Sequence, residues 1–324
     1  MDERLAMTLV TGFLGSGKTT LIRRYLETLA GAGTGLIVNE YGQEAVDHSL
    51  LVHAAEQVEL VAGGCICCAR RNDVAEAMYR LVQMSLNEGR FERAILETSG
   101  LADPAPIIAT LDRDPWLKSH VRLASVVTVF DAVAGIRTVE EQPEARRQLS
   151  IADTVIVTKM DMRDAEDFDV ILKCILSISP DARVVDSQNE HFRAEDYLGG
   201  TGHPALNTQA PISTFQAAHS GDVSSFTLRF GEKIDWPAFT VWLSALLHAH
   251  GDQILRVKGI LSTSSSETPL AIHGVQHVMH PPSHIANSDE PIDPYLVFIT
   301  RGIAREAIRN SLISFLDCAP EHIR

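Results

Sequence analysis

MTLVTGFLGSGKTT, residues 7–20, passes from an apolar run through a glycine-rich turn into an amphipathic stretch. Gly12 to Thr19 fit the pattern G-x-x-x-x-G-K-[ST] at every position. Met7–Thr11 reads as the strand before the turn. Lys18 opens a helix to Leu29, with Leu21, Ile22, Tyr25, Leu26 and Leu29 on one face. In that setting Gly12, Gly15 and Gly17, with Ser16 between them, let successive backbone N–H groups point inward. They would cradle a phosphate at the positive end of the helix. Lys18 would neutralise the β- and γ-phosphates of a nucleotide, and the Thr19 hydroxyl would coordinate Mg²⁺.

Outward from this loop, short β-branched runs alternate with longer amphipathic ones. Gly35–Asn39, Gln57–Val61, Ala94–Glu97, Leu123–Phe130, Thr154–Thr158 and Arg183–Val185 read as strands. Asp73, with Glu76 three residues on, reads as the cap of a helix to about Leu86. Further helices start near Pro104 and over Asp164–Ser177. Near-continuous apolar strands suit a sheet covered on both faces, and repeated βα alternation predicts a doubly wound, mostly parallel α/β domain over residues 1–197. Residues 198–222, rich in Gly, Pro, Ser and Thr, read as a linker. Residues 223–324 offer strands at Ser225–Phe230, Ile254–Ser262, Leu270–Gln276 and Tyr295–Thr300, with helices from Asp235 to about His250 and over Ile303–Leu316. Two helices on an antiparallel sheet predict a smaller C-terminal α+β domain.

Two further stretches bear on the chemistry. Glu97-Thr98-Ser99-Gly100 closes a strand: Glu97 is placed to hold a Mg²⁺-bound water and the Gly100 N–H to meet a γ-phosphate. Thr158-Lys159-Met160-Asp161 follows a buried strand, where GTPases carry Asn-Lys-x-Asp. Asp161 would accept from guanine N1 and N2, and the Lys159 stem would pack over the ring. Thr at the first position alters one polar contact, while Lys159 and Asp161 keep guanine favoured over adenine. An ATP-dependent enzyme is the competing reading of the same loop.

The chain has 28 basic and 42 acidic residues, a net charge of −14, which argues against nucleic acid as its partner. No apolar run approaches the roughly 20 residues a membrane span needs, and the first residues lack a signal peptide's basic head, so a cytoplasmic protein is expected. Three of the five cysteines are clustered in Gly63-Gly64-Cys65-Ile66-Cys67-Cys68, which in a reducing compartment points to metal or thiol chemistry. The following helix start, with Arg70 and Arg71 nearby, favours thiolates. Three thiolates suit Zn²⁺, with a fourth ligand from elsewhere or an open position. Glu40 leads for that place and His48 follows; a buried structural cluster and a redox switch are the alternatives. Cys174 and Cys318 read as buried helix residues.

With T-G-F-L-G-S-G-K-T-T, N-E-Y-G, G-G-C-I-C-C, E-T-S-G and T-K-M-D in this order, the chain resembles the CobW-type GTPases. These belong to the metallochaperone P-loop GTPases, with those serving urease and hydrogenase maturation. Arg256-Val257-Lys258-Gly259-Ile260 and His273-Gly274-Val275-Gln276-His277 resemble the family's C-terminal domain. The resemblance implies GTP-dependent handling of a transition metal, Zn²⁺ or Co²⁺. By position, Gly12 to Thr20 would bind phosphates, Thr19 and Glu97 would serve Mg²⁺, and Cys65, Cys67 and Cys68 would bind the cargo ion. The stretch from Asn39 to the cysteines would correspond to the first switch region. Val38 and Gln43 stand where some relatives carry Glu, so sites using those carboxylates are not expected here.

The expected activity is hydrolysis of GTP to GDP and phosphate, with Lys18 and Glu97 as catalytic residues, coupled to metal delivery to a client protein. Turnover is expected to be slow, because no water-orienting Gln or arginine finger stands out. A metal reservoir or sensor stabilised by its nucleotide is the alternative. Homodimerisation stays open. His273, His277, His280 and His284 keep helical spacing, but Pro281 and Pro282 speak against a helix, so they read as separate histidines rather than a metal face. Trp236, Phe239, Trp242 and Leu246 read as the core face of a helix.

Overall fold

The computed structural model describes residues 4–39, 58–61, 71–89, 91–164, 167–200, 223–266, 268–285, 293–317 and 322–323. By its contacts the chain divides into two units, Met1–Ile175 with Ala182–Ala205, and Leu176–Asp181 with Leu206–Arg324. In chain order the first holds β1 (Leu5–Thr11), α1 (Lys18–Leu26), β2 (Thr34–Asn39), β3 (Val58–Val61), α2 (Arg71–Glu88), β4 (Arg93–Thr98), α3 (Ala105–Arg113), α4 (Pro115–His120) and β5 (Val121–Asp131). It continues through α5 (Gly135–Glu141), α6 (Pro143–Ser150), β6 (Thr154–Thr158), α7 (Asp167–Ile178, whose end from Leu176 falls in the second unit), β7 (Arg183–Asp186) and α8 (Glu195–Leu198).

Seven strands form one sheet in the order β3-β2-β4-β1-β5-β6-β7, with every pairing parallel. Every residue of β1 is buried, as a central parallel strand requires. The order reverses around β1: β2 and β4 lie on one side, β5 and β6 on the other. In such sheets ligands bind beyond the carboxyl ends of the strands at this switch point, which is where the glycine-rich loop leaves β1.

Several expectations need correction. The first helix ends at Leu26 rather than Leu29; the Thr28 hydroxyl accepts from Gly31 N–H and caps a 3₁₀ turn over Leu29–Gly31, leaving Leu29 98% exposed. Asp73 lies inside α2, which begins by Arg71. Four short helices, α4, α5, α6 and α8, were not expected. Pro115 and Pro143 occupy first-turn positions and Asp114 caps α4 through the N–H groups of Trp116 and Leu117, so local start signals rather than periodicity mark α4 and α6. Cys174 on α7 is half-buried, and burial pushes its thiol pKa up.

The second unit contains β8 (Val223–Arg229), α9 (Trp236–His250), β9 (Ile254–Leu261), β10 (Leu270–Val275), β11 (Val278–Met279), β12 (Ser283–His284), β13 (Tyr295–Arg301) and α10 (Arg305–Leu316). Its antiparallel sheet runs β11-β10-β9-β13-β8, with β12 on β10. Phe226, Leu228, Phe239, Trp242, Phe298 and Leu312 centre its core, with Trp236 and Leu246 partly buried against it. All eight residues of β9 are buried, including Arg256 and Lys258, whose Nε and Nζ lie 3.2 and 3.6 Å from Asp181 Oδ2 within the same unit. Gly259 is required there, since a Cβ would come 2.0 Å from the Tyr295 carbonyl oxygen on β13. Among the described residues no helix is long and apolar enough to cross a membrane.

Candidate functional site

The loop after β1 turns on glycines at positive φ: Gly12 at 141°, Gly15 at 71° and Gly17 at 94°. Gly12 also lies against β5, where an added Cβ would stand 2.3 Å from the Val129 carbonyl oxygen. Gly17 caps α1 in the left-handed region, so the first N–H groups of the helix open onto the loop. Lys18 is nearly buried, and its Nζ donates to the carbonyls of Gly12 (2.9 Å) and Phe13 (3.2 Å). The ammonium therefore lies over the concavity of the loop. Ser16 is buried beneath it, while Thr20 is exposed on the first turn of α1.

Parallel pairing of β1 with β4 sets Val10 opposite Glu97, which brings the end of β4 beside the loop. There Thr19 Oγ1 donates to Glu97 Oε1 at 2.7 Å, and Glu97 is only 4% exposed. A hydroxyl and a carboxylate oxygen side by side are the hard donors that Mg²⁺ takes, so these residues fit that ion. Thr98 Oγ1 donates to Thr11 Oγ1 at 2.8 Å and ties the two strand ends. Gly100 presses on the loop itself: an added Cβ would stand 2.7 Å from Leu14 N and 2.8 Å from its Cα. Any side chain at 100 would force the two segments apart.

The loop after β6 reaches the same place from the other side. Thr158 Oγ1 donates to the Ser16 carbonyl at 2.8 Å and lies 3.2 Å from that of Phe130. Lys159, at φ 61°, sends Nζ to the Gly15 carbonyl at 2.7 Å and to the carboxylate of Asp131. Asp131 Oδ1 accepts from the N–H groups of Val133 (2.8 Å) and Ala134 (3.1 Å). Burial pushes the Asp131 carboxyl upward, but the Lys159 ammonium and these two N–H groups outweigh it and hold it below the usual carboxylate range. Asp161 is exposed and accepts from Gln188 Nε2 at 3.3 Å.

Lys18, Thr19, Glu97, Gly100 and Lys159 are thus gathered around one loop, with Asp161 at the end of β6. Asp131 and Gln188 were missed. Asp131 carries the signal that marked Glu97, an acidic residue ending a long apolar strand, but the strand was expected to stop at Phe130. Glu40, His48, Cys65, Cys67 and Cys68 lie outside the described residues. The four later histidines do not share a helix: His273 lies on β10 and His284 on β12. The His273 and His280 rings stack 4.5 Å apart, His277 pairs with Asp252 and His284 with Thr268. Among the described residues no three His, Cys, Asp or Glu side chains converge to hold a metal.

Comparison with known proteins gives two family matches. Residues 6–186 match the family described as "CobW/HypB/UreG, nucleotide-binding domain". Residues 223–316 match "Cobalamin synthesis protein cobW C-terminal domain". The zinc chaperone YjiA of Escherichia coli (strain K12) is 30% identical over 308 residues, covering 94% of this chain and 96% of the relative. The zinc chaperone CobW of Sinorhizobium sp is 29% identical over 313 residues, 84% of this chain and 85% of the relative. The crystal structure of the Zn(II)-bound YjiA GTPase from E. coli superposes with a TM-score of 0.69 at 26% identity, covering 96% of this chain and 99% of that one.

Proposed function

Because the chain belongs to the CobW/HypB/UreG family, we propose that it hydrolyses GTP to GDP and phosphate and couples this cycle to delivery of zinc to a client protein. The observation that carries the nucleotide half is the Thr19–Glu97 contact at the mouth of the glycine-rich loop. It joins the first turn of α1 to the end of β4 at the one place where both can face a nucleotide's terminal phosphates. The zinc half is supported by the relatives named zinc chaperones and by the Cys65-Ile66-Cys67-Cys68 sequence. Co²⁺ is the other cargo this donor set accepts.

In this reading the inward amides of Gly12 to Thr19 bind the phosphates, and Lys18 Nζ exchanges the carbonyls of Gly12 and Phe13 for β- and γ-phosphate oxygens. Thr19 would hold Mg²⁺ directly and Glu97 through the ion's water shell; the ion, when bound, neutralises charge on the phosphate oxygens. Water attacks the γ-phosphorus, the bond to the β–γ bridging oxygen breaks, and GDP keeps that oxygen. Lys18 and the loop amides stabilise the charge that develops, and being fixed in advance they need little reorganisation. Lys159 and Asp161 select guanine. Turnover is slow, since the described residues around the loop include neither an arginine finger nor a glutamine placed to orient water. Cys65, Cys67 and Cys68, with Glu40 or His48 as a fourth ligand, would hold the cargo; in sequence they lie between the phosphate loop and Glu97-Thr98-Ser99-Gly100. Phosphate contacts there would order or release the metal site.

Zinc titration with GDP and with a non-hydrolysable GTP analogue, repeated on a Cys65→Ser, Cys67→Ser, Cys68→Ser variant, tests the reading. Expected are a nucleotide-dependent zinc affinity and its loss in the variant. Equal affinity in both nucleotide states would sink the coupling, and a variant binding like wild type would sink the cysteine site. A Lys18→Ala protein still fully active in metal supply would favour the reservoir instead.

A further inference from the structure

Gln148 is wholly buried on α6 and has no place in the phosphate and base contacts above. Its Nε2 donates to two carbonyls of the turn after β4, Gly100 at 3.1 Å and Ala102 at 2.9 Å. Two acceptors at one end of the amide identify that end as the NH₂. Gln148 Oε1 is buried without a hydrogen bond, so among the described residues the turn is the side chain's whole hydrogen-bonding environment. Such an arrangement is costly unless the two donated bonds matter.

The glutamine is itself held from behind. Its backbone carbonyl accepts from Thr128 Oγ1 at 2.8 Å, which fixes this part of α6 to β5. One residue earlier, Arg147 Nη1 lies 3.6 Å from Asp103 Oδ2, and Asp103 Oδ1 accepts from the Ala105 N–H that opens α3. Helix α6 therefore grips residues 100, 102 and 103 from a base anchored on the sheet. The gripped turn is tight, with Ala102 N–H donating to the Ser99 carbonyl at 3.1 Å, and it carries Gly100 against Leu14 of the phosphate loop. Gln148 also lines, with Phe13, Leu14 and Ser16, a small cavity of about 30 Å³ beside that loop.

We propose that Gln148 is a positioning residue: it holds the Ser99–Ala102 turn so that Gly100 N–H is aimed at a γ-phosphate, and it reports the presence of that phosphate to α6. The proposal rests on the GTPase reading above. GTP engages the turn and GDP does not, so Gln148 acts on the triphosphate alone. With its carbonyls fixed, the turn presents its N–H without rearranging during hydrolysis.

The test compares wild type with Gln148→Met, which keeps the length and removes both donors. GDP affinity should stay within about twofold while kcat for GTP falls by roughly tenfold, the size of one such lost hydrogen bond. A purely packing role would instead weaken GDP and GTP alike and leave kcat near wild type; that result, or an unchanged kcat, overturns the proposal. Should the variant fail to fold, the wild type carries the test by NMR. The Gln148 side-chain amide should exchange slowly with solvent and shift between the GDP form and that with a non-hydrolysable GTP analogue. Identical resonances in the two forms overturn it. A wild type that neither binds nor hydrolyses GTP would overturn the GTPase reading and this proposal together; a normal wild type with an unaffected variant overturns this proposal alone.

Discussion

A hydroxyl and a carboxylate, on Thr158 and Asp131, brace the far side of the phosphate loop. Thr158 spans to the Ser16 carbonyl, so threonine at the first position of T-K-M-D serves the loop. Asp131 holds Lys159 by its ammonium, fixing the stem expected over the guanine ring. Because the Asp131 carboxyl is held below its ordinary range in the folded chain, its stabilising contribution is complete above the unfolded value of about 3.9. It is lost as pH falls through the lower native value. Thermal unfolding of wild type and Asp131→Asn should therefore differ by a constant Tm offset above about pH 5, and the curves should converge as pH drops below 4. A constant offset down to pH 2 would contradict this. Lys18, Thr19 and Glu97 were legible because their chemistry is tied to fixed spacing or to a strand end. Gln148 was not, because a buried amide bonded to carbonyls 46 and 48 residues away leaves no local trace.

Strands were legible where β-branched runs are bounded by breakers: Thr154–Thr158 was placed to the residue. Helices of four to eight residues escaped, since they span too little chain to show a period. β9 shows the opposite limit. Its charged Arg256 and Lys258 are buried with the rest of the strand, which lies between β10 and β13. Close approach to β13 also explains the glycine of Arg256-Val257-Lys258-Gly259-Ile260. Gly259→Ala should destabilise the second unit by about 3 kcal/mol, since a methyl 2.0 Å from the Tyr295 oxygen must push two paired strands apart. Urea unfolding followed by the fluorescence of Trp236 and Trp242 measures it, and a loss below about 1 kcal/mol would mean that the strands yield easily.

On the scale of the molecule, neither unit is one continuous length of chain. Leu176–Asp181, which includes the end of α7, belongs by its contacts to the second unit and supplies the carboxylate that Arg256 and Lys258 approach. Asp181→Asn should cost the second unit about 3–5 kcal/mol, the usual penalty for removing one partner from a buried ion pair. The same fluorescence reports it, and a stability equal to wild type would show that the cations are held adequately without it. The doubly wound sheet and the antiparallel second sheet followed from strand spacing, whereas this crossover depends on contacts far apart in sequence. The position of β1 between β4 and β5 has a consequence for synthesis. The strand leading into the phosphate loop leaves the ribosome well before both of its neighbours, β4 and β5. Until Asp131 has emerged the loop has no wall on the β5 side, so a growing chain cannot close its nucleotide pocket and exposes an unpaired apolar strand meanwhile. The loop's own residues are made long before the strands that let them function.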